Sequence, residues 1–427
     1  MARINLLPKF TVKVEGGSGC LFQPIDDEYS YVLTAKHVIS GNNAPSIIRQ
    51  TLDENNNQIY ETLQIIGTPF RHSDENKDAA IIKVQKVEEI DSLLRDELSS
   101  EYRDGYYLCG HPKSRINDGY SFRENKLEIQ NKKQYGYVEA ELSRVANRTE
   151  IVGQSGGGVI KIEDSCFLLA GIQKQMSAPD GIEQLGRIDF MPLTFFDEII
   201  EENANELSKL FPPYIASFER LLNEIFPLPN LIAKRSLIQN ELKRIAAELC
   251  NDFSPTTILE MFGEQFLIYG TEKSIIHHKQ LWLSFLEILS INQLHNLNKI
   301  SLEDLKELHK KRKLFIVDTD KWTKKIEDIY KTNLSDIEKG GAIVICATNE
   351  TEPSKTEISS EELIILDIST PFEKDNISNT VRNPFKELRL MNIFKFQSHI
   401  INNALAYAQL TLINSNEVLR NTTNGVI

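Results

Sequence analysis

The run Gly153-Gln154-Ser155-Gly156-Gly157-Gly158-Val159 constrains this 427-residue chain more than any other stretch. A serine between glycines packs poorly. It suits a place where a hydroxyl must stand clear of its own backbone, because glycine allows a sharp turn and the close approach of another group. Such a turn also leaves backbone N–H groups pointing into open space, as a developing oxyanion requires. Alone, the run is only a glycine-rich turn before the apolar stretch Val159 to Ile162.

Two other stretches change that reading. Tyr31-Val32-Leu33-Thr34-Ala35-Lys36-His37-Val38 is a β-type run ending at a histidine, and Lys77-Asp78-Ala79-Ala80-Ile81-Ile82-Lys83-Val84 is an apolar strand opened by an aspartate. A serine hydroxyl is too weak an acid to attack an amide unaided and needs a base. His37 suits that role because imidazole titrates near neutral pH. Asp78 would hold its tautomer and stabilise the imidazolium. Its rivals Asp74 and Glu75 lie in a polar loop. The N–H groups of Gly153 and Ser155 would form an oxyanion hole, each donor typically worth about 3 kcal/mol of barrier.

The chain order His, Asp, Ser, carried by Thr-Ala-x-His, Asp-x-Ala and Gly-x-Ser-Gly-Gly, resembles the trypsin-like serine peptidases. Gly110-His111-Pro112, after Tyr106 to Cys109, is similar to a glycine-aromatic-proline turn of that family. The resemblance covers residues 1–195. It implies two packed β-barrels with the catalytic groups in the cleft between them. The implied activity is serine endopeptidase action on a protein or peptide, with no cofactor and no metal. Aligned from Ser155, Thr149 and Glu150 fall at the base of the family's specificity pocket; Lys174, Gln175 and Met176 fall near its wall. In secreted members an aspartate precedes the serine and pairs with a newly cut N-terminal ammonium. Here that position is the neutral Gln154. Control is therefore expected from ordering the loop around Gly153, through a partner or an oligomer, rather than from clipping a pro-segment.

Asp and Glu outnumber Lys and Arg by 61 to 48, for a net charge of −13. Such a surface repels phosphate backbones, so direct nucleic-acid binding is not expected. The five cysteines show no paired spacing. With no signal-like apolar core near the start and no membrane-length apolar window, the expectation is a cytoplasmic protein without disulfides or membrane contact.

Beyond the protease-like region, 196–313 reads as a helical domain and 314–427 as a small α/β module for docking or oligomerisation. Helices are expected over Phe195–Phe211, Tyr214–Phe226, Leu231–Leu249, Ser274–Ile291, Ser301–Lys313 and Asn392–Leu412, with another opened by the Ser254-Pro255 cap. Strands are expected at Leu314–Val317, Ala342–Ala347 and Leu363–Ile368. The acidic stretch 87–103 reads as holding a short helix, Lys310 to Lys313 as a solvated helix end, and Asn414 to Ile427 as a loose tail. His72 and His111 read as surface or turn residues. His277 and His278 read as helical neighbours that point apart and make a poor metal pair.

This layout resembles the protease-type effector of the Lamassu, or ABC-three-component, anti-phage systems. That resemblance implies a C-terminal region docked on an SMC-like ATPase and a small third subunit; a homo-oligomer stays open beside it. Two other classes stay open: a stand-alone cytoplasmic quality-control protease, and a non-catalytic binding module on a protease scaffold. The intact signatures weigh against the last.

Overall fold

The computed structural model describes residues 4–52, 58–96, 98, 105–115, 118, 120–144, 148–163, 166–177, 186–229, 231, 233–263, 276–296, 298–317, 319, 321–326, 329, 334, 337–347, 353–358 and 388–427. The strand expected at Leu363–Ile368 lies outside them. The chain divides into two compact units, residues 1–213 with 272–277, and residues 214–271 with 278–427.

The first unit is built from short antiparallel strands. Seven form one sheet: β1 (Thr11–Val14), β2 (Gly17–Phe22), β3 (Tyr29–Ala35), β4 (Ile47–Leu52), β5 (Gln58–Thr62), β6 (Phe70–Arg71) and β7 (Ala79–Gln85), in the order β5-β4-β1-β2-β3-β7-β6. The chain leaving β5 reaches back to β7 through an Ile65–Val84 bridge, which rolls the sheet on itself. A second sheet holds β8 (Leu93–Arg95), β9 (Tyr106–Gly110), β10 (Arg123–Lys132), β11 (Val138–Leu142), β12 (Gly158–Ile162), β13 (Phe167–Met176) and β14 (Arg187–Pro192). Pairing of β12 with β13 closes six of these strands into a barrel, with β8 added parallel to β13. The first unit thus holds one closed six-stranded barrel and one rolled seven-stranded sheet, the all-β organisation expected for residues 1–195.

Register matters most at β3 and β7. Every residue of β3 is buried, and Tyr-Ser-Tyr-Val-Leu-Thr-Ala suits a strand packed on both faces. Its rungs with β7 run from Tyr29 opposite Gln85 to Ala35 opposite Ala79. The last rung therefore delivers Lys36-His37 and Asp78 to the same end of the sheet.

Of the run Gly16-Gly17-Ser18-Gly19 only Gly16 turns, with Glu15; Gly17 to Gly19 belong to β2, paired with β1. A Cβ on Gly19 would stand 2.5 Å from Val32 Cγ1 and 2.8 Å from Val14 Cγ2, so this glycine serves close packing of strands. Within 87–103 the described residues include a strand, β8, rather than a helix. The helical turns α1 (Lys36–Ile39) and α2 (Arg148–Ile151) follow β3 and β11, and α3 (Thr194–Glu202) follows β14. Phe195, Phe196, Ile199 and Ile200 of α3 join the core under the first sheet.

The second unit holds α4 (Arg235–Cys250), α5 (Pro255–Phe262), α6 (Lys279–His295), α7 (Leu302–Lys311), β15 (Arg312–Val317), β16 (Ala342–Ala347), β17 (Glu357–Ile358), β18 (Arg389–Asn392), α8 (Lys395–Asn402) and α9 (Ser415–Thr423). The sheet order is β15-β16-β18-β17, with only β17 antiparallel. Ser254 and Ser301 cap α5 and α7 through hydroxyls that accept from Thr257 N–H and Asp304 N–H, as the sequence suggests. The residues 214–226, read as one helix, instead form short 3-10 turns at Pro213–Ile215 and Phe218–Leu221. Arg312 and Lys313 belong to β15, where Lys313 is buried, so the basic run is not wholly a solvated end. His278 lies just outside α6 and caps it, accepting from Gln280 N–H. The final stretch is the helix α9 rather than a loose tail, with Leu419 and Thr423 buried and Ser415 and Asn416 donating to Glu241 of α4.

Helix α6 is buried on nearly every side and carries a carboxylate, Glu287, inward. Burial pushes the Glu287 carboxyl up to about 7, although Phe226 N–H and Gln397 Nε2 donate to it. The folded value lies above that of an unfolded glutamate, so the fold retains a proton that the unfolded chain releases. This contribution is complete below about pH 4.3 and is lost as pH rises to about 7. Glu287→Gln should flatten the dependence and stabilise the second unit at pH 8 by on the order of 3 kcal/mol. Both tryptophans, Trp282 and Trp322, lie in that unit, so tryptophan-monitored urea unfolding at pH 5 and pH 8 measures it directly.

Candidate active site

His37 lies in the first turn of α1, immediately after β3. Asp78 closes that turn from below. Its carbonyl accepts from Lys36 N–H at 2.6 Å, and its Oδ1 accepts from His37 N–H at 2.9 Å. Its Oδ2 lies 2.6 Å from His37 Nδ1. One carboxylate thus fixes both the backbone and the ring of the same histidine. With Asp78 ionised, Nδ1 carries the proton and Nε2 presents its lone pair. The His37 side chain is half exposed and Asp78 is mostly covered, at 50% and 14%. Asp78 is in turn anchored by Tyr137, whose hydroxyl accepts from Asp78 N–H at 3.1 Å and donates to Asn76 C=O at 2.7 Å.

Ser155 sits in the turn between α2 and β12, and a single buried residue of the first sheet, Ser18, grips that turn. Ser18 N–H donates to Ser155 C=O at 2.8 Å, and Ser18 Oγ donates to Gly153 C=O at 2.8 Å. The same Oγ accepts from His111 N–H at 2.8 Å. Thr34 Oγ1 donates to Ser18 C=O at 2.8 Å. The threonine three residues before His37 is therefore joined, through Ser18, to the backbone of Ser155. A Cβ on Gly17 would lie 2.9 Å from both Ser155 O and the Val38 methyls, so the histidine and serine segments flank one point on β2. Among the described residues neither the Ser155 hydroxyl nor His37 Nε2 has a hydrogen-bond partner, so the link between them is open in this conformation.

Gly156 has no alternative here. Its φ is +89°, and a Cβ would stand 2.0 Å from Ser18 O and 2.3 Å from Thr34 Oγ1. Gly153 has a φ of +97° and packs against Lys113 N and His111 O. Among the described residues, the N–H groups of Gly153 and Ser155 have no partner. Two free N–H groups beside a serine can receive an oxyanion. Gln154 is buried, accepts from Asn125 Nδ2 at 3.3 Å and donates to Glu150 C=O at 3.1 Å; Arg144 in turn donates to Asn125 at 2.8 Å. This neutral lock occupies the place of the expected missing ion pair.

Of the five residues aligned to a specificity pocket, Thr149 and Glu150 lie in α2 and Lys174, Gln175 and Met176 in β13. Thr149 lies in α2, and its side chain is outside the description. Glu150 gives its carbonyl to Gln154. Lys174 Nζ rests 4.2 Å from the centre of the Tyr137 ring, Gln175 is exposed opposite Asp189, and Met176 packs against the core of the second barrel. His72 and His111 follow β6 and β9 in the connecting turns, as one of the two expected placements had it, but both are buried rather than at the surface. His72 Nε2 meets Glu198 Oε2 at 2.8 Å, while burial pushes the His111 imidazole down to about 4. Ser18, Tyr137 and Asn125 carried no sequence signal. Nor did Gln173, which is fully buried with both amide atoms unpartnered and whose backbone pairs with Gly156 and Gly157. In the second unit a cavity of about 470 Å³ carries charges of both signs, including Glu307, Glu338, Arg312 and Arg389, with no serine, cysteine or histidine in its described lining.

Residues 190–402 match the C-terminal domain 4 of the ABC-three component systems. The chain carries an ABC-three component C-terminal domain. That domain begins within β14 and ends at the last residue of α8. No curated protein matches the sequence. Among solved structures, the chain is similar to the inactive form of the Rv3671c protease, at 14% identity over 47% of this chain and 92% of that one, with a TM-score of 0.32. It is also similar to a serine endoprotease from Yersinia pestis, at 17% identity over 47% of this chain and 64% of that one, with a TM-score of 0.32. A third likeness is to kallikrein-related peptidase 10, at 16% identity over 47% and 98% of the two chains, with a TM-score of 0.35.

Ser18→Ala removes the donor to Gly153 and the acceptor of His111 N–H while leaving the backbone bonds. It should destabilise the first unit by about 1–3 kcal/mol, read by far-UV circular dichroism during urea unfolding. Gly156→Ala should fail to give a folded first unit at all; a soluble variant with a wild-type spectrum would contradict the packing described here.

Proposed function

We propose that the first unit is a serine endopeptidase and that the chain is the proteolytic effector of an ABC-three component anti-phage system. The observation that carries the peptidase reading is the pairing of His37 with both oxygens of Asp78, on a strand tied through Thr34 and Ser18 to the Ser155 turn. In the proposed reaction His37 Nε2 takes the Ser155 proton as the hydroxyl oxygen adds to the scissile carbonyl. Asp78 stabilises the imidazolium without taking its proton. The N–H groups of Gly153 and Ser155 receive the oxyanion. His37 then gives its proton to the leaving amine, and water, activated by the same imidazole, releases the acyl group from Ser155. No cofactor or metal enters these steps.

The open link between Ser155 and His37 supports a regulated enzyme. Partner subunits, proposed as an SMC-like ATPase and a small third protein, would close that link on activation and leave DNA contact to the ATPase. The net charge of −13 agrees with that division of labour. Among the described residues no helix is long and apolar enough to cross a membrane, and the substrate class proposed is protein.

Cleavage of an unfolded protein substrate tests this reading, with the chain alone and with its partner subunits present. Ser155→Ala and His37→Ala should each lower the rate of the activated complex by at least about 10³-fold. Equal cleavage by wild type and Ser155→Ala would assign the activity elsewhere, and no cleavage in either state would leave a binding scaffold.

A further inference from the structure

Leu405, Leu412 and Ile413 are exposed to 91%, 79% and 98%. No other large hydrophobic side chain among the described residues exceeds the 58% of Tyr60. Scattered half-exposed apolar residues are ordinary, but almost fully exposed aliphatic side chains grouped on one short segment are not. The three lie between α8 and α9, in the second unit. They also lie within an uncharged stretch: from Phe396 to Asn416 there is no Asp, Glu, Lys or Arg, in a chain that is 26% charged. Depletion of charge around exposed apolar residues is the composition of an interface core.

The segment is not a slack loop. Tyr407 and Leu410 are fully buried and anchor it from beneath. Asn414 Oδ1 accepts from Thr411 N–H at 2.7 Å and from Thr411 Oγ1 at 2.9 Å, and Asn414 Nδ2 donates to Gln409 C=O at 3.3 Å. This staple closes the loop whose tip carries Leu412 and Ile413. Immediately afterwards Ser415 and Asn416 are tied to Glu241 of α4. Two aliphatic side chains are thus presented to solvent on a preformed turn, and a preformed contact loses little conformational freedom on binding.

We propose that the segment from Ala404 to Asn414 is the surface by which the second unit docks a partner subunit of its three-component assembly, with Leu412 and Ile413 as the knob entering an apolar recess. This rests on the reading of the chain as a subunit of such an assembly, which the match of residues 190–402 supports. Charge selects the occupant. A second copy would bring two chains of net charge −13 together across a contact with no charged residue to offset their repulsion. Lipid-binding segments of this kind carry Lys and Arg around the apolar face, and this one carries none. A protein partner with an apolar recess meets neither objection.

The test is co-expression of the full chain with the other two subunits encoded alongside it, followed by affinity measurement. L412D/I413D should lower affinity for one subunit at least tenfold while the tryptophan-monitored unfolding midpoint stays at the wild-type value. Asn414→Ala, which leaves the apolar side chains in place but loosens the loop, should weaken the same complex several-fold. A complex that forms equally well with L412D/I413D would overturn the proposal. So would a wild-type dimer that the double variant disperses, or wild-type flotation with phosphatidylserine vesicles that the double variant loses. If the wild-type chain binds neither subunit, the assembly reading fails and the docking surface falls with it.

Discussion

The hydrogen bonds gathered at Ser18 hold the first unit's candidate site together. A fully buried hydroxyl and peptide group must find partners inside the protein, because a buried donor or acceptor left without one costs about 1–3 kcal/mol. Ser18 meets that demand by gripping the Ser155 turn with its N–H and Oγ, while its Oγ and carbonyl receive His111 N–H and Thr34 Oγ1. A requirement of burial thereby becomes a positional constraint on Ser155. The glycines of the turn follow from it, since Gly156 passes so close to Ser18 and Thr34 that a methyl group has no room.

The His37–Asp78 pair depends on a different constraint, the register of two buried strands. A one-residue slip of β3 against β7 would move every β3 side chain to the opposite packed face and separate the two residues. Burial of the whole of β3 prevents the slip. The strands consequently place imidazole and carboxylate together without a dedicated loop. In the second unit the same physics yields a titrating group instead: Glu287 receives two donors, yet burial dominates and keeps its proton near neutrality.

Residues whose roles are local were legible in the sequence. His37, Asp78 and Ser155 stood out because β-type runs, an apolar strand and flanking glycines mark their surroundings, and the capped starts of α5 and α7 were visible for the same reason. Ser18 was not legible, because its partner Gly153 is 135 residues away and no local pattern records such a bond. Tyr137, Asn125 and the burial of His111 were hidden likewise. Helix α9 resembles a tail in the sequence because its apolar face is thin; Leu419 and Thr423 with two side-chain bonds to Glu241 suffice to seat it. Lys313 looks like part of a solvated helix end in the sequence, because nothing local marks that β15 begins within the basic run.

The proposed reaction stands or falls with Ser155 acting as a nucleophile activated by His37. Intact-mass and peptide-mapping spectrometry after treatment with a fluorophosphonate reads this out, on the chain alone and on its activated assembly. The expected result is a single phosphonyl adduct on Ser155, faster in the assembly, and no adduct in His37→Ala. An adduct on another residue, or no Ser155 adduct in either state, would contradict it.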